Sequence, residues 1–123
     1  MKILLADDSA LIRTSISKTL VEKGFEIILC NDGAEALQKI IEHKDVWVAI
    51  LDWQMPKITG PEVCRAIRGT KIGRYVYSVL LSSHDDSDRV VQGMEAGADD
   101  YILKSASAEE FCLRVKAGVR VAS

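Results

Sequence analysis

Apolar positions along this chain alternate five times between short runs and longer stretches with helical spacing. The short runs are Lys2 to Ala6, Phe25 to Cys30, Val46 to Leu51, Val76 to Leu81 and Asp100 to Leu103. Between them Leu11, Ile12, Ile16 and Leu20 recur at helical intervals, as do Ala36, Leu37, Ile40 and Ile41, then Val63, Ala66 and Ile67, then Val90, Val91 and Met94. A last helix carries Phe111, Leu113, Val115 and Val119. A run such as Val46 to Leu51 has no polar face, so it predicts a strand buried on both sides, and hence a mostly parallel sheet with helices on each face. Right-handed crossovers leave few ways to connect five such strands.

The punctuation agrees with this pattern. Ser9 is placed to cap the first helix and Gly24 to end it, while Asp32-Gly33 and Thr59-Gly60-Pro61 mark turns that start helices. A chain of 123 residues, 48% hydrophobic, is one domain with enough apolar side chains for a core that needs no staples. The expected domain spans 1–123, either complete or the N-terminal part of a longer protein. A net charge of −2, with Lys and Arg scattered, argues against direct nucleic-acid binding. Cys30, Cys64 and Cys112 are widely spaced and each lies in an apolar stretch, as small core residues in a reducing compartment do. The N-terminus lacks a signal-peptide layout and no run is long enough to span a membrane, so no membrane association and a cytoplasmic location are expected.

Chemistry enters at the strand ends. The first run ends in Asp7-Asp8, and the third in Asp52, followed by Trp53-Gln54-Met55-Pro56. In a flavodoxin-like doubly wound sheet of strand order 2-1-3-4-5, strands one and three flank the switch point where ligands gather. Adjacent strands lie about 4.8 Å apart, so three carboxylates would crowd one pocket and require positive charge. Mg²⁺ (or Mn²⁺) suits oxygen ligands and keeps water positions open for a phosphoryl group. The fourth run is followed by Ser82-Ser83 and the fifth by Lys104, a hydroxyl and an ammonium able to meet an anion on Asp52. Read singly, Asp7-Asp8 is a helix-start acidic pair, Ser82 a turn residue and Lys104 a surface lysine; the constellation makes the case.

The segments Ile3-Leu4-Leu5-Ala6-Asp7-Asp8-Ser9, Leu51-Asp52-Trp53-Gln54-Met55-Pro56, Leu80-Leu81-Ser82-Ser83 and Gly97-Ala98-Asp99-Asp100-Tyr101-Ile102-Leu103-Lys104 resemble the receiver domains of two-component response regulators. The resemblance covers essentially the whole chain. It implies that Asp52 accepts a phosphoryl group from a sensor histidine kinase or histidine phosphotransfer protein. It also implies that Asp7, Asp8, Asp52 and the backbone carbonyl of Gln54 hold Mg²⁺, and that Ser82 and Lys104 bind the phosphoryl oxygens. Ser82 and Tyr101 are the implied switch pair, and the product is a timed switch rather than a turnover enzyme. The kinase is expected on the first helix around Leu11, Ile12 and Ser15. Output passes through a free-standing adaptor, a fused effector, or a dimer of the fourth-helix, fifth-strand, fifth-helix face. Gly73 to Tyr77 and Leu113 to Gly118 are similar to receivers joined to cyclic-di-nucleotide enzymes.

Three departures carry their own expectations. Ser105 stands where most receivers have proline, which predicts a trans Lys104–Ser105 bond or a strained cis one. Ser82 replaces the commoner threonine and keeps its hydroxyl. Gln54 and His84 stand at positions that in the family flank the path of the hydrolytic water, so the resemblance implies that they set the lifetime of the phosphoryl group. Three other classes compete. A metal-dependent aspartyl-phosphate hydrolase would place a second Asp where Gln54 stands. A flavin carrier would need a phosphate-cradling loop where Asp7-Asp8 stand. A receiver-shaped interaction module would not be phosphorylated at all.

Overall fold

A computed structural model describes residues 2–83 and 87–122. Five strands alternate with five helices: β1 (Lys2–Ala6), α1 (Ala10–Glu22), β2 (Glu26–Cys30), α2 (Gly33–Glu42), β3 (Val46–Asp52), α3 (Gly60–Gly69), β4 (Tyr77–Ser82), α4 (Ser87–Glu95), β5 (Asp100–Leu103) and α5 (Ala108–Ala122). All strand pairs are parallel, and the sheet order is β2-β1-β3-β4-β5, the flavodoxin-like arrangement expected from the sequence. Phe25 and Val76 fall just outside β2 and β4, whereas β3 runs through Asp52 and β4 through Ser82. Asp52 and Ser82 are therefore the last rungs of their strands, whereas Asp7 and Asp8 follow β1 in the loop before α1.

Alternation along the strands divides the core in two. Leu4, Ala6, Ala49, Leu51 and Leu80 pack with Ala36, Ile40, Val63 and Ile67 of α2 and α3 on one face. Ile3, Leu5, Val48, Ile50, Val79 and Leu81 pack with Leu20, Phe111, Cys112 and Val115 of α1 and α5 on the other. The β1–β3 register slips between Lys2 and Ile3, whose partners are Val46 and Val48. This bulge at Trp47 shifts the phase of β3 and puts Val46 on the same face as Ala49 and Leu51.

Helix starts are capped as the sequence predicts. Ser9 Oγ accepts from the Ile12 amide, Asp32 from Glu35, and Thr59 with Glu62 forms a capping box ahead of Pro61. Gly24 follows α1 with φ 91°, the left-handed geometry of a helix stop. Several apolar helix residues are not on the core stripe. Leu11, Ile41, Val91, Met94 and Leu113 are exposed, at 78% for Leu11 and 61% for Leu113. A turn of 3.6 residues carries Ile12, Ile16 and Leu20 inward and leaves Leu11 about 100° round the helix from them. The three cysteines are buried and unpaired, and the Lys104–Ser105 peptide is trans.

Arginine side chains tie the amino ends of the strands. Arg68 donates to the carbonyls of Val76 (2.9 Å) and Gly97 (3.1 Å) and pairs with Asp99 at 2.7 Å. Asp99 also accepts from the Ser78 amide at 2.8 Å and from the Tyr75 hydroxyl, and the Arg68 guanidinium lies over the Tyr75 ring. Arg74 donates to the carbonyls of Ile40, His43 and Val46, joining the end of α2 to the start of β3. His43 is the residue that closes α2, its amide donating to the Lys39 carbonyl.

Candidate functional site

At the carboxyl end of the sheet, the tips of β1, β3, β4 and β5 converge on a cleft of about 250 Å³. Asp8, Asp52, Gln54, Ser82, Ser83 and Lys104 line it, together with Trp53 and Arg89. Asp7 sits beneath, fully buried. Its orientation is imposed locally: its amide donates to the Cys30 carbonyl at 3.2 Å, its Oδ1 accepts from the Ser9 amide at 2.9 Å, and its own carbonyl accepts from Arg13 at 2.7 Å. Oδ2 is left facing Asp52 and Lys104.

Asp52 is held as firmly. The next amide, Trp53, donates to Leu81, and the Trp53 carbonyl accepts from Gly60. A Cβ at Gly60 would lie 2.5 Å from the Asp52 carbonyl oxygen, so only glycine lets the first turn of α3 rest on the Asp52 backbone. Lys104 is positioned by its amide, which donates to the Ser82 carbonyl at 2.8 Å. Its ammonium reaches 3.1 Å from Asp52 Oδ1 and 3.2 Å from Asp7 Oδ2. Ser105 in place of proline therefore does not prevent Lys104 from reaching the site.

Carboxylate oxygens of Asp7, Asp8 and Asp52 all lie within 4.8 Å of one another. Burial, and then the charge of Asp7, push the Asp52 carboxyl up to about 6 despite the contact with Lys104. Burial pulls the Lys104 ammonium down, but its hydrogen bond to Asp52 and the charges of Asp52 and Asp7 outweigh this and raise it overall. Lys104 thus pairs with two of the three carboxylates, and Arg89 lines the same cleft. Asp7 Oδ2 is buried and, 3.2 Å from the Lys104 ammonium, makes no hydrogen bond of good geometry among the described residues. A buried, unbonded carboxylate oxygen among hard donors fits a divalent cation.

Ser82 ends β4 and is buried, 2% exposed, at the cleft wall. Gln54 is exposed and lines the cleft. Tyr101 does not line it; half-buried on β5, it meets Trp53 edge-on at 6.2 Å between ring centres. His84 lies outside the described residues. Three participants were not singled out from sequence: Arg13, which holds the Asp7 backbone, Trp53, and Arg89, whose guanidinium lies 5.4 Å from the Trp53 ring centre. Nothing in local spacing marks the arginines, because their partners come from other elements.

The model of the response regulator receiver domain matches residues 3–116. The chain belongs to the response regulator receiver domain family. The response regulator MprA of Mycobacterium leprae is 37% identical to this receiver domain over 120 residues, 98% of this chain and 51% of MprA. This receiver domain spans about half the length of the curated relatives it matches. Among solved structures, the Francisella response regulator 1452 receiver domain superimposes with a TM-score of 0.89 at 30% identity, covering 99% of this chain and 98% of that one. The receiver of the response regulator NarL from Mycobacterium tuberculosis gives 0.85 at 31%, covering 98% and 94%. As a receiver domain the chain is a module of two-component signal transduction. Among its described residues no helix is long and apolar enough to cross a membrane.

Proposed function

We propose that this receiver is a phosphoacceptor switch in which Asp52 takes a phosphoryl group from a histidine kinase or phosphotransfer protein. The observation that carries this is a nearly buried carboxylate at a strand end, 3.1 Å from an ammonium, beside a cleft with room for a phosphoryl group. Asp7, Asp8, Asp52 and the Gln54 carbonyl would hold Mg²⁺, or Mn²⁺, which when bound supplies positive charge for the equatorial phosphoryl oxygens. Asp52 Oδ attacks phosphorus as the bond to the donor imidazole breaks in line. Lys104, freed from part of its contact with the carboxylates, meets the transferred oxygens, and the Ser82 hydroxyl donates to them. Water later cleaves the acyl phosphate, with Gln54 and His84 on its path.

Ser82 and Tyr101 form the switch pair, β4 delivering one and β5 the other. The kinase docks on α1 around Leu11, Ile12 and Ser15, of which Leu11 and Ser15 are exposed while Ile12 turns partly into the core. Output proceeds through the α4–β5–α5 face or a fused effector, in a cytoplasmic protein. Gly73 to Tyr77, similar to receivers of cyclic-di-nucleotide enzymes, is accounted for locally by the Arg74 and Tyr75 contacts.

The test is exposure to acetyl phosphate with and without Mg²⁺, followed by intact mass. A gain of one phosphoryl group that needs Mg²⁺ and disappears in Asp52→Asn supports the reading. No adduct in wild type, with beryllofluoride also failing to bind, identifies a receiver-shaped interaction module instead.

A further inference from the structure

Arg89 lines the same cleft as Asp52 while its guanidinium lies 5.4 Å from the centre of the Trp53 ring. Gly93, one helical turn further on α4, faces Trp53 as well: a Cβ there would lie 3.2 Å from the indole and 2.6 Å from Leu80 Cδ1. Positions i and i+4 share a helix face, so α4 bears on Trp53 through both residues. Trp53 in turn meets Tyr101 edge-on. One indole therefore touches the cleft, the helix and the β5 aromatic.

The charges of the cleft show what Arg89 is suited to. Asp7, Asp8, Asp52 and Lys104 together carry two negative charges, which one divalent cation would cancel. An acyl phosphate on Asp52 carries about one negative charge more than the carboxylate it replaces. We propose that Arg89 is a second cation for the phosphoryl group, resting over Trp53 in the unphosphorylated protein and drawn onto the phosphoryl oxygens afterwards. A guanidinium suits both partners, since it stacks on an aromatic face and makes forked hydrogen bonds to a phosphoryl group. Its transfer pulls the first turn of α4 toward the cleft and uncovers the indole, a route to α4 separate from the Ser82–Tyr101 pair. This inference rests on the phosphoacceptor reading above.

The test uses the full chain with Mg²⁺ and beryllofluoride as the phosphoryl probe. The chain has two tryptophans; in a Trp47→Phe background the emission reports Trp53, and ¹⁹F NMR counts bound beryllofluoride independently. Arg89→Ala and Arg89→Gln are expected to weaken beryllofluoride binding about tenfold, the scale of one charge-assisted hydrogen bond, with Arg89→Lys recovering part of the loss. Mg²⁺ binding without beryllofluoride should be unchanged or tighter in the same variants, because a positive charge has left the cleft. Beryllofluoride affinity within twofold of wild type in Arg89→Ala overturns the proposal. So does an equal loss of both affinities, which marks Arg89 as merely structural. Wild type that binds no beryllofluoride overturns the phosphoacceptor reading itself, and this one with it.

Discussion

The two ends of the sheet treat carboxylates in opposite ways. At the amino end, Asp99 receives an arginine, a tyrosine hydroxyl and a backbone amide, and Arg68 spends its remaining donors on two carbonyls. At the carboxyl end, Asp7, Asp8 and Asp52 crowd together, Lys104 pairs with two of them, and the Asp52 carboxyl is pushed up to about 6. The same fold thus contains a satisfied ionic cluster that fastens elements together and an unsatisfied one that holds an electrostatic debt open for a ligand. Ionic groups in a protein are informative about function chiefly where their partners are too few.

The contrast breaks most visibly when each carboxylate is removed. Asp99→Ala leaves the Arg68 guanidinium and the Ser78 amide short of an acceptor, so urea unfolding should show a loss of about 3 kcal/mol. Asp52→Asn removes a charge that the native state disfavours; in chelator at pH 7.5 the variant should be more stable than wild type by about 2 kcal/mol. Equal signs for the two substitutions would erase the distinction between the ends.

The pH dependence sharpens it. Because the folded Asp52 carboxyl is raised to about 6, above its ordinary 3.8, the native state binds this proton more tightly than the unfolded chain. The penalty is absent below about pH 4 and grows until the group is fully ionised above about pH 6. The stability advantage of Asp52→Asn should therefore appear between pH 4 and 6 and then level off in metal-free denaturation curves. Adding Mg²⁺ at pH 7.5 should raise wild-type Tm and leave Asp52→Asn less responsive.

The smallest effect concerns packing rather than charge. Burial raises the Cys30 thiol to about 12, beneath the site, and the Cys64 thiol to about 11, in α3. Thiolate is then scarce at pH 8, and both thiols should react with a soluble disulfide reagent only as fast as the protein opens. Comparable protection at the two positions would show that the ends differ in electrostatics and not in tightness; rapid labelling of Cys30 alone would contradict that.

Sequence marked Asp7, Asp8, Asp52, Ser82 and Lys104 as candidates because each sits at the end of an apolar run, a local signal that needs no neighbour, whereas the strand order followed from the alternating pattern and the few topologies that right-handed crossovers leave. It could not say that Leu11 and Leu113 face solvent, since helix phase is set by what the helix packs on. Nor could it pair Arg68 with Asp99, 31 residues apart, or place Arg89 over Trp53. These contacts exist only once α3, α4 and β5 have met.

Two glycines give the molecule an uneven stiffness. Gly60 seats α3 against the Asp52 backbone carbonyl, which cannot yield without distorting β3. Gly93 seats α4 against side chains, Leu80, Trp53 and Tyr101, which can change rotamer. β3 and α3 should behave as an anvil, while α4 and β5 form the compliant side. A change of shape at the Asp52 end of the sheet therefore meets less resistance on the β5 side than on the α3 side.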